Sequence, residues 1–322
     1  MNYLITGGTG FLGQHLTRHL LTLPEAETVR VFSRDEYKQS LMQEQINDRR
    51  VRVFLGDVRD QARLVTAFHH VDVVIHAAAL KRIDAIEYQV MEVVKTNILG
   101  TYNVIEAALI NHVKVVCLIS SDKAVEPINS YGVSKLMAER LITEAAYNYG
   151  DPETRFIAVR YGNVWGSRGN VLEQWQRQHH RGQAITITDP SMTRFLITIE
   201  QAIDTIDTAL TQAESGEIVI PSRLQAYRLD DLARAFIGGE EMWKVTGLRP
   251  GEKLHECLLS RAELSRTVAG ELAHYLQPTV SNRRQEDRRH PGEPVTSDAA
   301  PRLTIGDLRE RLDGYGKAEM DS

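Results

Sequence analysis

The sequence predicts an α/β fold, a Rossmann-like doubly wound parallel sheet followed by a smaller C-terminal lobe. In the first half, short runs rich in Val and Ile carry apolar residues on both faces and alternate with longer amphipathic stretches. Strands buried on both sides of a parallel sheet have this composition, and the stretches between them have helical length. After about residue 166 the alternation becomes irregular, as expected of a second, smaller lobe.

This alternation predicts the elements in chain order. We expect strands at Tyr3–Thr6, Thr28–Phe32, Arg52–Leu55, Asp72–Ala77, Lys114–Ile119 and Phe156–Arg160. We expect the helices between them at Phe11–Leu23, Gln61–Phe68, Met91–Ile110 and Ser130–Tyr149. Past residue 166, the expected elements are strands Ala184–Thr188 and Glu217–Pro221, helices Glu200–Gln212, Leu229–Phe236 and Thr304–Leu312, and a charged surface loop at Ser281–Pro294. Right-handed crossovers between the strands then give a doubly wound sheet.

Composition narrows the class of protein. The formal net charge is -5 at pH 7, so no broad basic surface is available to bind nucleic acid. The two cysteines, Cys117 and Cys257, cannot make a disulfide framework. His69 and His70 lack the spacing of metal ligands, and we expect no metal. No apolar run approaches membrane-spanning length and no signal peptide precedes the first strand, so we expect a soluble, cytoplasmic protein.

A glycine-rich turn predicts a dinucleotide-binding site. The segment LITGGTGFLG ends the first strand and opens the first helix, with Gly7, Gly10 and Gly13 three residues apart. Glycines at these positions permit a tight turn, a close approach of the backbone to a pyrophosphate, and close packing of the helix on the sheet. The helix N-terminus adds N–H donors and a partial positive charge.

The end of the second strand usually discriminates between NAD and NADP. An acidic residue there binds the ribose 2′-hydroxyl, whereas a cation accommodates a 2′-phosphate. The strand ends in Ser33 and Arg34, which favours NADP, because both side chains can bind phosphate oxygens. Asp35 would favour NAD if the strand ended one residue later, so NAD remains an alternative. Asp57 and Val58, after the third strand, are placed to meet the adenine, although Asp57 also fits a simple turn aspartate.

The segment after the fifth strand carries the residues that could react. It begins Ser120-Ser121-Asp122-Lys123, and Tyr131 and Lys135 follow on one face of the next helix. A phenol has a pKa of about 10 and is a poor base at neutral pH, but a lysine ammonium and the positive nicotinamide would favour the phenolate. Such a tyrosine can take a proton from a sugar hydroxyl while hydride leaves the same carbon.

These motifs resemble the extended short-chain dehydrogenases/reductases, through TGGTGFLG, the serine that ends strand five, and YGVSK. More narrowly, the chain resembles the UDP-N-acetylglucosamine 4,6-dehydratases, and most closely the C5-inverting kind that starts pseudaminic-acid synthesis. The motifs concerned are SRDE, GDVRD, HAAALKRI, KTNILGT, SSDKAVEPINSYGVSK, RYGNVWGSRGNV, MTRFLIT and RPGEKLHE. The resemblance runs from about residue 2 to residue 258 and is weak in the last sixty or so residues.

The resemblance implies a role for each reactive residue. Tyr131 would be the base for oxidation at C4, with Lys135 lowering the tyrosine pKa and holding the nicotinamide ribose. Asp122 would protonate the departing C6 hydroxyl, and Lys123 would remove the C5 proton, which the C4 ketone acidifies. Hydride would then return to C6, so that no external redox partner is needed. Dehydratases of UDP- or dTDP-glucose resemble this pattern but carry glutamate where Lys123 stands.

The resemblance also implies residues that bind substrate and cofactor. Arg194 and Arg249 resemble cations that clamp the pyrophosphate, and Asn163 a residue that holds a phosphate. Glu252 would meet the uridine ribose. The implied substrate-binding set is Lys81, Ser121, Asn163, Arg194, Arg249 and Glu252. The implied cofactor-binding set is Gly7, Thr9, Gly10, Phe11, Leu12, Gly13, Ser33, Arg34, Asp57, Val58, Ala77, Ala78, Ala79, Asn97, Ser120, Tyr131, Lys135, Tyr161 and Val164.

Several alternatives remain open at this point. The rivals are a nucleotide-sugar epimerase, a C5-retaining or GDP-sugar dehydratase, and a sensor that binds NADP without catalysis. One branch that epimerises C5 carries methionine where Tyr131 stands, so Tyr131 argues for plain dehydration. Sensors generally lose the tyrosine and lysine that this chain retains.

The domain boundaries and the assembly are predicted as follows. Residues 1–165 would form the NADP-binding domain, with a returning segment near 194–235. Residues 166–193 and 236–322 would form the substrate lobe. The resemblance implies a dimer or hexamer, with Met91–Ile110 and Ser130–Tyr149 able to form a shared four-helix contact.

Overall fold

The computed structural model describes residues 1–149, 154–167, 169–238, 243–279 and 290–320, apart from the side chains of residues 84 and 316–320. The strands are β1 Asn2–Thr6, β2 Thr28–Ser33, β3 Val51–Leu55, β4 Val73–His76, β5 Val115–Ile119, β6 Arg155–Val159, β7 Asn163–Val164, β8 Ile185–Ile187, β9 Thr193–Ile197, β10 Ile218–Pro221, β11 Gln225–Arg228, β12 Trp243–Val245, β13 Cys257–Leu259, β14 Thr267–Ala269, β15 Ala273–Leu276 and β16 Val295–Thr296. The helices are α1 Phe11–Leu20, α2 Glu36–Ile46, α3 Gln61–Ala67, α4 Ile83–Ile86, α5 Val90–Val93, α6 Gly100–Ile110, α7 Ser130–Asn148, α8 Val171–His180, α9 Ile199–Gln212, α10 Leu229–Ile237 and α11 Ile305–Met320.

The large sheet has the order β14-β15-β10-β6-β5-β4-β1-β2-β3. The six strands predicted in the first half pair in parallel in the order β3-β2-β1-β4-β5-β6, and β10 extends them in parallel. The antiparallel strands β15 and β14 complete the edge. The strand order reverses at β1 and β4, as in dinucleotide-binding folds, so the predicted Rossmann-like doubly wound sheet is confirmed.

The sheet is held by a core that lies on both of its faces. Val73–His76 and Val115–Ile119 are buried along their whole lengths, as the continuous apolar runs predicted. Helix α1 packs on β1 and β2, and helix α7 packs on β5 and β6. Because ligands bind outside the carboxyl ends of such strands at the reversal, this arrangement locates the site between the ends of β1 and β4.

A second hydrophobic core forms the smaller lobe. It contains Trp175 of α8, Ile185 of β8, Leu232 of α10 and Leu308 of α11. Helix α10 therefore packs in the smaller core, although the sequence analysis placed it in the segment 194–235 that returns to the large domain. Conversely, β14 and β15 pair in the large sheet, although they come from the stretch 236–322 assigned to the lobe.

Several elements differ from the prediction. Helix α2 was not predicted, because its burial is confined to Gln39 and Met42 and it has little apolar periodicity. The predicted helix Met91–Ile110 is interrupted by π-helix at Val94–Leu99. Of the predicted loop Ser281–Pro294, residues 281–289 lie outside the described residues. Within the described part of the chain, no helix is long and apolar enough to cross a membrane.

Candidate active site

A large cavity opens at the carboxyl ends of the parallel strands and continues into the smaller lobe. Its volume is about 1790 Å³. All of the predicted site residues line it except Asn97 and Asp122. Residues that lie far apart in sequence are therefore gathered around one space, which is large enough for a dinucleotide and a nucleotide sugar together.

The glycine-rich turn has the geometry that a pyrophosphate requires. Gly7 has φ +69°, and a Cβ there would lie 2.9 Å from the backbone of Ala78. A Cβ on Gly13 would lie 2.5 Å from the Cα of Gly8, so this glycine lets α1 approach the turn. Gly10 precedes α1 without a side-chain cap, which leaves the N–H groups of the first turn available to an anion. These residues fit a bound dinucleotide.

The charged groups after β2 line the cavity, and Asp35 also caps a helix. The Asp35 carboxylate accepts a hydrogen bond from the Lys38 N–H at 3.1 Å and pairs with Lys38 Nζ at 2.8 Å. It therefore caps α2. Arg34 is half exposed, lines the cavity and lies 3.6 Å from Asp57, measured from Nη1 to Oδ2. Ser33 accepts a hydrogen bond from Gln39 at 3.1 Å.

Helix α7 begins where the reactive residues are needed. The Asn129 side chain caps it by accepting a hydrogen bond from the Gly132 N–H at 2.7 Å. A Cβ on Gly132 would collide with the Lys123 carbonyl oxygen, so glycine allows α7 to pack against the short 3₁₀ turn Asp122–Ala124. Tyr131 and the adjacent face of the helix are consequently brought next to that turn.

Tyr131 and Lys135 are both buried on this face, but the lysine whose charge lowers the pKa of the phenol is Lys123. Burial raises the pKa of Tyr131 to about 12, which the Lys123 ammonium and a hydrogen bond with Ser121 oppose. Burial lowers the pKa of Lys135 to about 8, opposed by Glu139. Lys135 Nζ donates to the Ile119 carbonyl at 2.7 Å. Tyr131 therefore needs the positive charge of Lys123 or of a bound cation to favour its phenolate form.

Lys123 lies between two buried carboxylates. Its Nζ is 3.1 Å from Asp122 Oδ1 and 3.3 Å from Glu256 Oε1. Burial alone would lower the pKa of Lys123, but the two carboxylates outweigh it and raise the pKa. Lys123 also donates to Asn163 Oδ1 at 3.4 Å, and the Ser121 hydroxyl donates to Asp122 Oδ1 at 2.7 Å. Ser121 thus connects the phenol to the Asp122–Lys123 pair.

Arg194 is held firmly at the border of the two lobes. Its guanidinium donates to the carbonyl oxygens of Thr193 at 2.7 Å, Lys253 at 3.0 Å and Leu254 at 3.2 Å. Its Nε is 3.7 Å from Glu256 Oε1. Only 8% of Arg194 is exposed. It therefore presents a fixed positive charge at the cavity wall.

Arg249 and Glu252 lie opposite α8. The Arg249 N–H donates to Glu252 Oε2 at 3.1 Å, and its guanidinium donates to Gln174 at 3.4 Å. Burial lowers the pKa of Lys81, which lines the same cavity. Arg177 also lines it and was not among the predicted site residues. Helix α8 was not predicted, so no periodicity indicated that Arg177 and Gln174 share a face.

Two predicted cofactor residues support the site through hydrogen bonds. Asn97 is buried, and its side chain bonds the Leu80 N–H at 2.8 Å, the Leu80 carbonyl at 2.9 Å and Ser134 at 2.9 Å. It therefore holds the segment after β4. The Ser120 hydroxyl donates to Glu139 at 2.5 Å. Glu139 is in turn paired with buried Arg160 at 2.7 Å.

The sheet order, the glycine turn, and Tyr131 and Lys135 on one helix define an extended short-chain dehydrogenase/reductase. Comparison with known proteins refines this class. A family model described as "Polysaccharide biosynthesis protein" matches residues 3–277, and the chain belongs to this family.

Similarities to individual proteins agree with the resemblance predicted from the motifs, which is confirmed. A Campylobacter jejuni protein named UDP-N-acetylglucosamine 4,6-dehydratase (inverting) is 40% identical over 280 residues, or 87% of this chain and 83% of the relative. A Rickettsia prowazekii protein named UDP-glucose 4-epimerase is 37% identical over 286 residues, with the same two shares of 87% and 83%.

Solved structures share the fold. The X-ray structure of Pen from Bacillus thuringiensis is 38% identical, with a TM-score of 0.89 over 97% of this chain and 98% of that chain. A dTDP-glucose 4,6-dehydratase from Streptomyces venezuelae, solved with NAD bound, is 22% identical, with a TM-score of 0.71 over 79% of this chain and 87% of that chain. At this lower identity the likeness concerns the fold alone.

Proposed function

We propose that this chain is an NADP-dependent nucleotide-sugar 4,6-dehydratase that converts UDP-N-acetylglucosamine to a UDP-4-keto-6-deoxy sugar with inversion at C5. The observation that carries the proposal is the connected group Tyr131, Ser121, Asp122 and Lys123, of which all but Asp122 line the cavity that the glycine turn also lines. The Campylobacter jejuni relative supports both the dehydration and the inversion.

The dinucleotide would be held by the glycine turn and by Arg34. When bound, it supplies a hydride acceptor for oxidation at C4 and the hydride donor for C6. Arg34 and Asp35 both line the cavity, but the Asp35 carboxylate is engaged by the N–H and the ammonium of Lys38, and this favours NADP. NAD remains the alternative, in line with the NAD-bound Streptomyces venezuelae neighbour.

Tyr131 would remove the proton from the C4 hydroxyl. Its pKa of about 12 in the isolated protein means that the phenolate needs nearby positive charge. Lys123 already lowers this pKa, and Ser121 donates or accepts a hydrogen bond at the phenol. Lys135, held by the Ile119 carbonyl, would bind the nicotinamide ribose.

Asp122 and Lys123 would carry out the elimination. At rest they form an ion pair with 3.1 Å between Oδ1 and Nζ. Transfer of one proton from Nζ to the carboxylate makes an acid and a base in a single shift. The carboxylic acid then protonates the departing C6 hydroxyl while the amine takes the C5 proton, which restores the ion pair.

The nucleotide would lie along the smaller lobe. Arg194 and Arg249 provide guanidinium groups that suit diphosphate oxygens. Asn163 lines the same cavity and accepts a hydrogen bond from Lys123. Arg177 adds a third cation from α8. Glu252 would meet the uridine ribose once its bond to the Arg249 N–H is exchanged.

An epimerase is the second candidate, and the Rickettsia prowazekii relative favours it. Epimerisation at C4 requires the tyrosine and the dinucleotide but no acid–base pair for loss of water. The buried Asp122–Lys123 pair therefore supports dehydration. A C5-retaining or GDP-sugar dehydratase would use the same pair, and a sensor would not need it.

A homo-oligomer, a dimer or hexamer, is part of the proposal. Apolar side chains remain exposed on α6 and α7, including Tyr102, Val133, Met137 and Tyr147. A four-helix contact between two chains would cover them. Light scattering at several protein concentrations tests this contact, and a monomer throughout would contradict it.

Mass spectrometry after incubation with UDP-N-acetylglucosamine and NADP tests the reaction. The proposal predicts a product that has lost one water. An epimerase would give a product of unchanged mass, and a sensor would leave the substrate intact. Parallel incubations with UDP-glucose and a GDP-hexose test the nucleotide and the N-acetyl group.

A further inference from the structure

Glu256 is buried beside Lys123 and was not among the predicted site residues. Only 3% of it is exposed, and its Oε1 lies 3.3 Å from Lys123 Nζ and 3.7 Å from Arg194 Nε. Asp122 approaches the same ammonium at 3.1 Å. The lysine is therefore enclosed by one carboxylate from the end of β5 and a second from the segment before β13.

The position of Glu256 is fixed by the C-terminal part of the chain. Its N–H donates to Ser297 Oγ at 2.8 Å, and the Ser297 N–H donates to the Glu256 carbonyl at 2.8 Å. Ser297 is fully buried and its hydroxyl also contacts Thr193 Oγ1 at 2.6 Å. Hydrogen bonds of the backbone and of the Ser297 side chain therefore fix the position of Glu256.

The carboxylate has unused hydrogen-bonding capacity next to a small cavity. Among the described residues, neither Glu256 Oε2 nor Asp122 Oδ2 has a hydrogen-bond partner, although both atoms are buried. A cavity of about 160 Å³ is lined by Glu256, Lys123, Asn163 and Arg194. It has room for several water molecules, which could donate hydrogen bonds to these carboxylate oxygens.

We propose, resting on the dehydration proposed above, that Glu256 is a positioning residue for Lys123, holding its amine toward C5 and stabilising the positive charge that forms there. In this step the C5–H bond breaks and an N–H bond forms on Lys123, while the Asp122 O–H bond breaks and the C6 hydroxyl leaves as water. The Glu256 carboxylate already lies beside the position where the ammonium charge develops, so it can stabilise that charge without moving.

The same arrangement predicts a change in pH dependence. The charged and titratable groups that face Lys123 come from five elements or their flanks: Asp122, Tyr131, Arg194, Tyr227 and Glu256. Asp122 and Glu256 raise the pKa of Lys123, and Arg194 lowers it. Removing the charge of Glu256 therefore lowers the pKa of Lys123 and moves the pH profile of the C5 step to lower pH.

Glu256→Gln keeps the size of the side chain and removes its charge. We expect release of the C5 proton, followed as solvent deuterium at C5, to slow by about 10- to 100-fold. C4 oxidation, followed in a single turnover by the absorbance of reduced nicotinamide, should persist. With substrate deuterated at C5, the isotope effect should increase. NMR of isotope-labelled lysine should show Lys123 losing its proton at lower pH, and this readout does not depend on turnover.

The matched control is Glu126→Gln, an exposed glutamate on the loop between the Asp122–Ala124 turn and α7. It should behave as wild type in every assay. Glu256→Asp keeps the charge but shortens the side chain, and it should recover part of the rate of the C5 step. If Glu256→Gln does not fold, Glu256→Asp is the variant to measure. Equal loss of C4 oxidation and C5 exchange, or an unchanged lysine titration, would overturn the proposal. A wild-type protein that releases no water would instead refute the dehydration itself.

Discussion

Two lysines beside the end of β5 lie in surroundings that differ in charge. Lys135 is buried against the Ile119 carbonyl, and burial lowers its pKa to about 8. Lys123 is also withdrawn from water, but Asp122 and Glu256 raise its pKa. Because burial lowers the pKa of both lysines, the two carboxylates beside Lys123 account for the opposite directions of their pKa shifts.

The difference in pKa suits the two lysines to different roles in the proposed reaction. A lysine with a lowered pKa is a weak base, whereas a lysine paired with two carboxylates becomes a strong base once it has given its proton to Asp122. Lys135 is therefore suited to bind and orient, and Lys123 to take a proton from carbon. The predictions that follow test this contrast.

The largest effect is expected from Lys123→Met. The substitution leaves Asp122 without its cation and Glu256 with only the more distant Arg194, so the free energy of unfolding should fall by about 3–5 kcal/mol. Urea unfolding at pH 7 measures it. Lys114→Met, at the exposed start of β5 where Lys114 pairs with Asp72, is the control and should change stability little. Similar losses in both variants would mean that the Lys123 pairs do not stabilise the fold.

Lys135→Met should raise the free energy of unfolding, the opposite of the effect expected for Lys123→Met. The folded pKa of about 8 lies below the ordinary value of 10.5, so burial of the ammonium destabilises the fold at pH below 8. The variant should gain about 1–3 kcal/mol at pH 7. Wild-type stability should rise between pH 8 and 10.5 as this penalty is relieved, and the variant should lack that rise. A loss of stability at pH 7 would contradict the contrast.

The smallest effect is expected at the cofactor end, where Arg34→Ala should reduce the preference for NADP over NAD by about tenfold. Arg59→Ala is a matched control, because Arg34 and Arg59 both pair with Asp57 but Arg59 does not line the cavity. Titration of each variant with both dinucleotides gives the ratio. An unchanged ratio in Arg34→Ala would remove this residue from recognition of the 2′-phosphate.

The first half of the fold could be predicted because strand and helix patterns there are local. Every strand from β1 to β6 was expected within one residue or so of its observed bounds. The later strands β7, β9 and β11–β16 were not predicted, because most of them are short and their burial depends on contacts with distant segments. The pairing of β13 with β16, for example, joins Cys257 to Thr296.

The site could be predicted in part for the same reason. Tyr131 and Lys135 share the helix that follows the fifth strand, so spacing and position indicated them. The roles of Asp122 and Lys123 were implied only by the resemblance to the UDP-N-acetylglucosamine 4,6-dehydratases. Glu256 could not be found in this way, because it reaches Lys123 only when the smaller lobe folds back on β5. Nor could the sequence indicate that Lys123, and not Lys135, is the lysine whose charge lowers the pKa of Tyr131.

The most direct test is NMR of the products that wild type and Lys123→Ala form from UDP-N-acetylglucosamine in deuterated water. We expect wild type to give a 4-keto-6-deoxy sugar with deuterium at an inverted C5. Lys123→Ala should oxidise C4 but incorporate no deuterium at C5. Full incorporation by the variant would contradict the role of Lys123 as the C5 base.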